Sequence, residues 1–211
     1  MVQTIPAEKL TLYELEKTFH LQRVQDTQFF PEWQSHLPKL TAVEKQQLDR
    51  AKAHYLYLAT RPMLEEMVKM VVISPLLDLA GFYEPPFYST SEKSVKLSAK
   101  DDGVTIRGKI DVLVIQDQLW VLVLEAKQAG FSLQPGIPQA LAYMLANPQP
   151  AKPLYGLVSN GSNFIFLKLL QPGTPQYALS NEFTLMREDE DFHQVLRILK
   201  RLAQVVGQTE E

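Results

Sequence analysis

Six consecutive apolar residues, Leu119 to Leu124, run directly into Glu125-Ala126-Lys127. That junction constrains the fold more than any other feature of the chain. An unbroken apolar run of strand length reads as a β-strand covered on both faces, the kind found inside an α/β sheet. Charges at the end of such a strand are costly to hold away from water unless something compensates them. The strand's period of two puts Glu125 and Lys127 on one face. Among the 24 acidic residues, only Glu125 has a lysine two positions on. The plain alternative is a solvated ion pair at a strand end, which is common and worth little. Six buried-type residues leading straight into the charged trio argue against it.

Asp111 belongs to the same constellation. The β-rich stretch from Thr105 to Ile115 precedes the apolar run, and a turn near Asp117-Gln118 makes the two a hairpin. With a three-residue loop Gln116 faces Trp120 and Asp111 faces Glu125. A two-residue loop puts them on opposite faces unless a bulge intervenes. The expectation is therefore an odd-length loop or a compensating bulge. Two carboxylates converging on one point suit a hard cation such as Mg²⁺ or Mn²⁺. A neighbouring lysine can position water or stabilise charge on a phosphate, so the trio suits metal-assisted phosphodiester hydrolysis.

Composition narrows the field around this cluster. With no cysteine among 211 residues, disulfide scaffolds, thiolate metal sites and cysteine nucleophiles are excluded. A net charge of -3 speaks against non-specific coating of nucleic acid. Any affinity for a phosphate backbone has to be local. The candidate is residues 93 to 109, where Lys93, Lys96, Lys100, Arg107 and Lys109 face only Asp101 and Asp102. Edge-strand lysines that keep the protein soluble are the competing explanation. The start of the chain lacks the apolar core of a signal peptide, and the greasy stretch from Met70 to Phe82 is broken by Ser74, Pro75 and Asp78. No segment approaches the ~20 apolar residues of a membrane span. A cytoplasmic protein without membrane contact is expected.

The first 60 residues read as helices, with capping boxes at Thr11-Glu14 and Thr41-Glu44. A helix over about 42 to 59 follows. A third starts at Pro62 and runs from Met63 to Ile73, where Pro75 bends or ends it. Strands follow at 94 to 99, 105 to 115 and 119 to 124, then a helix at 137 to 145 and strands at 154 to 159 and 164 to 169. Asn160-Gly161 between the last two signals a type I′ hairpin. A loop from Gln171 to Gln176 leads to a closing helix, preceded by the acidic run Glu188 to Asp191, which suits a helix N-terminus. Gly103 to Lys109 satisfies the start of a phosphate-binding P-loop. Ile110 stands where a hydroxyl is needed, however, and the chain continues as a strand, so that reading fails. His20, His36, His54 and His193 form no ligand pair, and no serine-hydrolase elbow exists.

Asp111 followed after thirteen residues by Glu125-Ala126-Lys127, with Gln139-Ala-Leu-Ala-Tyr143 downstream, resembles the PD-(D/E)XK nuclease superfamily. Within its RecB-like branch the chain is similar to the N-terminal nuclease domain of type I restriction enzyme R subunits. Tyr155 to Gly161 with Phe164 to Phe166 looks like that family's hairpin, and Glu65 to Lys69 through Phe82 like its first helix. The likeness spans about residues 61 to 170, and ATP-driven translocation is not implied by it. It implies an α/β fold, a restriction-endonuclease-like mixed β-sheet core flanked by helices. Residues 1–60 form a helical extension, 61–170 the nuclease-like core, and 171–211 a loop and closing helix.

The resemblance also implies a Mg²⁺-dependent deoxyribonuclease, with Mn²⁺ as a substitute. The metal would lie on Asp111, Glu125, the Ala126 carbonyl and Glu65, with Glu66 as rival to Glu65; either glutamate is otherwise a solvated helix residue. Lys127 would assist the attacking water, and Gln139 and Tyr143, one helical turn apart, would support the site. DNA is the implied partner, with a protein partner or homodimer also open. The competing function is an inactive module of the same fold that binds DNA or a partner protein.

Overall fold

A computed structural model describes residues 3–99, 104–116, 119–187 and 191–207. The expected turn at Asp117-Gln118, Lys100 to Gly103 and most of the acidic run (188–190) lie outside the described residues. The fold is α/β, an eight-stranded mixed sheet with helices on both faces. This is the helix-flanked mixed sheet expected of a restriction-endonuclease-like chain.

The strands are β1 (Gln3–Pro6), β2 (Gln22–Arg23), β3 (Phe87–Ser98), β4 (Val104–Gln116), β5 (Leu119–Ala126), β6 (Leu154–Ser159), β7 (Asn163–Leu170) and β8 (Gln176–Thr184). They run in the order β1-β4-β5-β6-β7-β8-β2, and β3 pairs antiparallel with β4. Since β3 covers one edge of β4 from Thr105 to Gln116, β1 and β5 share the other edge. β1 takes Val104 to Arg107 and β5 takes Val112 to Gln116, leaving a notch at Gly108 to Asp111. β5 and β6 are parallel, joined through helix α5 (Gly136–Leu145).

On one face, α2 (Ala42–Leu58), α3 (Glu65–Val68), α4 (Ser74–Leu79) and α6 (Asp191–Gly207) pack Leu48, Val68, Leu76 and Leu199 against Leu122 and Leu124. On the other, α1 (Leu12–Phe19) and α5 pack Leu15, Ile137 and Leu141 against Val123 and Val158. Neighbouring apolar residues of β5 thus enter opposite layers, which is why its apolar run is continuous. Residues 1–60 contribute Leu15, Leu48 and Tyr55 to these same cores, together with the short strands β1 and β2.

Both capping boxes form as their sequences indicate, each threonine hydroxyl accepting from the glutamate N–H and each glutamate accepting from the threonine N–H. The third helix departs from expectation. It begins at Glu65, not at Pro62, because Met63 is buried and its carbonyl accepts from the Ala129 N–H. Pro75 does not end it either. A π-helical segment, Lys69–Ile73, leads directly into α4. The wider turn accommodates a ring that would collide with the carbonyl four residues back in a regular helix.

The hairpin after β6 is displaced by one residue. Ser159 faces Phe164 and the Asn160 N–H points to the Asn163 carbonyl, so Gly161-Ser162 are the central residues. Gly161 has φ +87° and Ser162 is not left-handed, as in a type II′ turn rather than I′. Asn160 acts from the first position of the turn, its Oδ1 accepting from the Ser162 and Asn163 N–H groups.

β8 is a strand where only a loop and closing helix were expected. Its register against β7 slips by one between the Ile165–Glu182 and Leu167–Leu179 pairs. The slip breaks the apolar alternation that would reveal it. At the break, the Ser180 hydroxyl accepts from the Phe166 N–H in place of a backbone carbonyl.

Candidate active site

The hairpin of β4 and β5 solves the register problem with a bulge. Gln116 faces Leu119 and Ile115 faces Trp120, the register of a two-residue loop, which would separate the two carboxylates. Between Ile115–Trp120 and Val114–Leu122 the pairing shifts by one residue. From there Val112 faces Leu124, and the same register sets Asp111 against Glu125. The bulge is the compensating device that the sequence requires.

A second irregularity lies at Asp111. Ile110 and Leu113 enter the same core layer, so the strand changes face between them. Directly across, Glu92 of β3 adopts φ +54° while the register on either side stays constant. Both strands therefore kink together at the notch left open between β1 and β5. The Ala126 N–H donates to Asp111 Oδ2 at 2.7 Å, which ties the kink to the end of β5.

From β5 the site extends to α5. Lys127 Nζ donates to Glu125 Oε1 at 2.8 Å and to Gln139 Oε1 at 2.7 Å, and Gln139 Nε2 donates to the Tyr143 hydroxyl at 3.0 Å. Two glycines make the close approach possible. A Cβ on Gly136 would stand 3.1 Å from Lys127 Cε and 2.6 Å from Val158 Cγ1. A Cβ on Gly108 would stand 2.4 Å from the Tyr143 oxygen. Burial, then the Glu125 carboxyl, raises the Tyr143 hydroxyl well above its ordinary range, so it serves as a neutral brace.

The third contributor is the helix through α3 and the π segment. Glu65 is half-buried, and burial followed by the nearby Asp111 raises its carboxyl. Glu66 is exposed, yet it lines the same cavity. Lys69, four residues on from Glu65, donates to Asp111 Oδ1 at 3.2 Å and lies 3.6 Å from Glu92. Although burial works against its charge, the Asp111 carboxylate holds Lys69 above the ordinary lysine range.

These groups line a cavity of about 430 Å³ bounded by six carboxylates and four cationic side chains. Glu125 is its most constrained member. It is 3% exposed, its Oε2 has no hydrogen-bond partner, and its carboxyl is pushed up to about 8. Burial is the main cause, Asp111 adds to it, and Lys127 offsets part. Among the described residues no three His, Cys, Asp or Glu side chains are grouped closely enough to hold a metal unaided. Each facing carboxylate is instead held by an ammonium group, Asp111 by Lys69 and Glu125 by Lys127.

All the singled-out residues therefore meet at one place. Asp111, Glu125, Lys127, Gln139, Tyr143, Glu65 and Glu66 line the cavity, and Ala126 joins it through its N–H. Of the basic stretch, Arg107 and Lys109 line it, whereas Lys93 and Lys96 are exposed on β3. Sequence reasoning missed Lys69, Glu92, Gly108 and Gly136. The spacing of Lys69 from Glu65 was a usable signal, since residues four apart share a helical face. The roles of the glycines depend on tertiary approach and left no mark in the sequence.

No family model matches the chain, and no curated protein matches it. Among solved structures, one that it resembles is a fragment assigned to the HsdR subunit of a type I restriction enzyme from Vibrio vulnificus YJ016. The match has 17% identity and a TM-score of 0.41, and covers 71% of this chain and 27% of that one. A likeness at this level says nothing of activity. No helix among the described residues is long and apolar enough to cross a membrane.

Proposed function

We propose that the protein is a metal-dependent nuclease that hydrolyses phosphodiester bonds in DNA. The observation that carries this reading is Glu125, a buried carboxyl set against Asp111 with one oxygen unpartnered and a pKa raised to about 8. A group kept in that state at the end of a core strand works against stability, as expected of a site built for a charge it does not itself contain. The donor atoms would be carboxylate oxygens with the Ala126 carbonyl, the ligand chemistry of Mg²⁺ or Mn²⁺. Asp111 and Glu125 would hold the ion with the Ala126 carbonyl, and Glu65 would join them only by moving closer, since among the described residues no three carboxylates are grouped tightly enough as they stand. When bound, the ion would supply Lewis-acid activation of water and of the phosphate.

The chain's own groups do the rest. Lys127, fixed between Glu125 and Gln139, presents positive charge where charge develops on the phosphoryl oxygens. Gln139 and Tyr143 hold that ammonium in place, and Lys69 sets the orientation of Asp111. Arg107 and Lys109 at the rim provide the local positive charge that an overall acidic protein needs for a phosphate backbone.

The test is cleavage of single- and double-stranded DNA with Mg²⁺ or Mn²⁺ by the wild type, Asp111→Ala and Lys127→Ala. Each variant is expected to lose activity by about 100-fold or more. Equal cleavage by the variants would overturn the residue assignment. No cleavage by the wild type, with DNA binding retained, would leave an inactive binding module of the same fold.

A further inference from the structure

A second depression, of about 500 Å³, opens beside the charged cavity and shares Glu66, Lys69, Glu92 and Asp111 with it. Its chemistry is different. The buried side chains of Ile73 and Leu77 line it, together with Met70 and Tyr83, which are 67% and 47% exposed. Lys69, Met70 and Ile73 all come from the π-helical segment, so the widened turn serves both compartments: Lys69 meets Asp111 while Met70 and Ile73 line the trough. The Tyr83 hydroxyl donates to the Ser74 hydroxyl at 3.1 Å, which holds the aromatic side chain at the trough. Exposed methionine and tyrosine side chains directly beside a charged cavity are not needed for packing.

We propose, resting on the nuclease reading above, that this trough receives an unpaired base of the strand whose phosphate lies at Asp111 and Lys69, so that the site acts on single-stranded or frayed DNA. A flat, amphipathic base matches an apolar trough with Ser91 and Ser74 at its lining. An aromatic ring and a polarisable thioether are suitable stacking partners for any base. Glu66 and Glu92 disfavour a phosphate in the trough, whereas Lys69, shared with the charged cavity, favours one at the boundary, so the backbone lies there while the base turns inward. A base paired within a duplex cannot reach the trough without leaving its stack.

The experiment measures fluorescence anisotropy of a labelled single strand of about eight nucleotides, and of its fully abasic counterpart, in Ca²⁺. The wild type is expected to bind the base-bearing strand about tenfold more tightly than the abasic strand, and Tyr83→Ala to bind both alike. Tyr57→Ala, at an exposed position on α2 outside the trough, is the control and keeps the wild-type ratio. A wild-type ratio near one, or a ratio unchanged in Tyr83→Ala, overturns the base subsite, as does failure to bind either strand. Cleavage is scored separately in Mg²⁺. Its absence alongside a tenfold ratio lost in Tyr83→Ala overturns the nuclease reading and leaves the base subsite standing.

Discussion

Replacing Glu125 by glutamine should abolish the proposed activity and at the same time stabilise the protein. The folded-state carboxyl is raised from 4.5 to about 8, chiefly by burial. Below pH 4.5 it carries a proton in both the folded and unfolded states and has no effect on stability. Between 4.5 and 8 the unfolded chain ionises while the folded chain keeps its proton, so stability falls as pH rises, by about 1.4 kcal/mol per pH unit. At pH 7 the loss reaches about 3 kcal/mol, and above about 8 it levels off. Glutamine cannot ionise and can still accept from Lys127, so Glu125→Gln should recover about 3 kcal/mol at pH 7 and nothing at pH 4. For a chain of this size that is about 6–12 °C in Tm. Urea unfolding of both proteins from pH 4 to 9 measures the effect. Equal stability at pH 7, or a wild-type profile that is flat from pH 5 to 8, would refute the raised carboxyl and the argument built on it.

The same carboxyl predicts proton-linked metal binding. Mg²⁺ or Mn²⁺ affinity should rise with pH from about 6 to 8, and calorimetry in buffers of different ionisation heat should show protons released on binding. Gly136→Ala should place its methyl against Lys127 Cε and Val158 and lower cleavage by about tenfold, with circular dichroism unchanged. Glu32→Ala should cost about 3–5 kcal/mol in urea unfolding, because the buried Lys168 ammonium, 2.6 Å from Glu32, is left without its partner. Leu199→Ala, fully buried in the α6 core, should cost about 2–5 kcal/mol by the same measurement.

What could be read along the chain follows the range of the interactions involved. The capping boxes at Thr11 and Thr41 are contacts over three residues, and both form as written. The continuous apolar run of β5 reports two covered faces, and both cores are present. Where a distant element intervened, local signals misplaced the boundary. Pro62 has a good helix-starting position, yet the Met63 carbonyl is taken by Ala129. Asn160-Gly161 is a strong turn pair, but the pairing of β6 with β7 centres the turn on Gly161-Ser162. β8 stayed hidden because its bulge against β7 breaks the period of two, and β1 and β2 are too short to carry a pattern.

The candidate site divides in the same way. Sequence alone nominated the candidate groups: strand periodicity pairs Glu125 with Lys127, a hairpin register adds Asp111, and the family resemblance points to Gln139 and Tyr143, one helical turn apart. Only the tertiary structure decided what state those groups are in. The bulge between Val114 and Ile115, the paired kink at Glu92 and Asp111, and the arrival of Lys69 from the π-helical segment arise where separate elements meet. Burial of Glu125 beside Asp111 raises its carboxyl, and burial is a sum over neighbours from the whole chain. The sequence could name the charges at the end of the core strand; their energies came from what was packed around them.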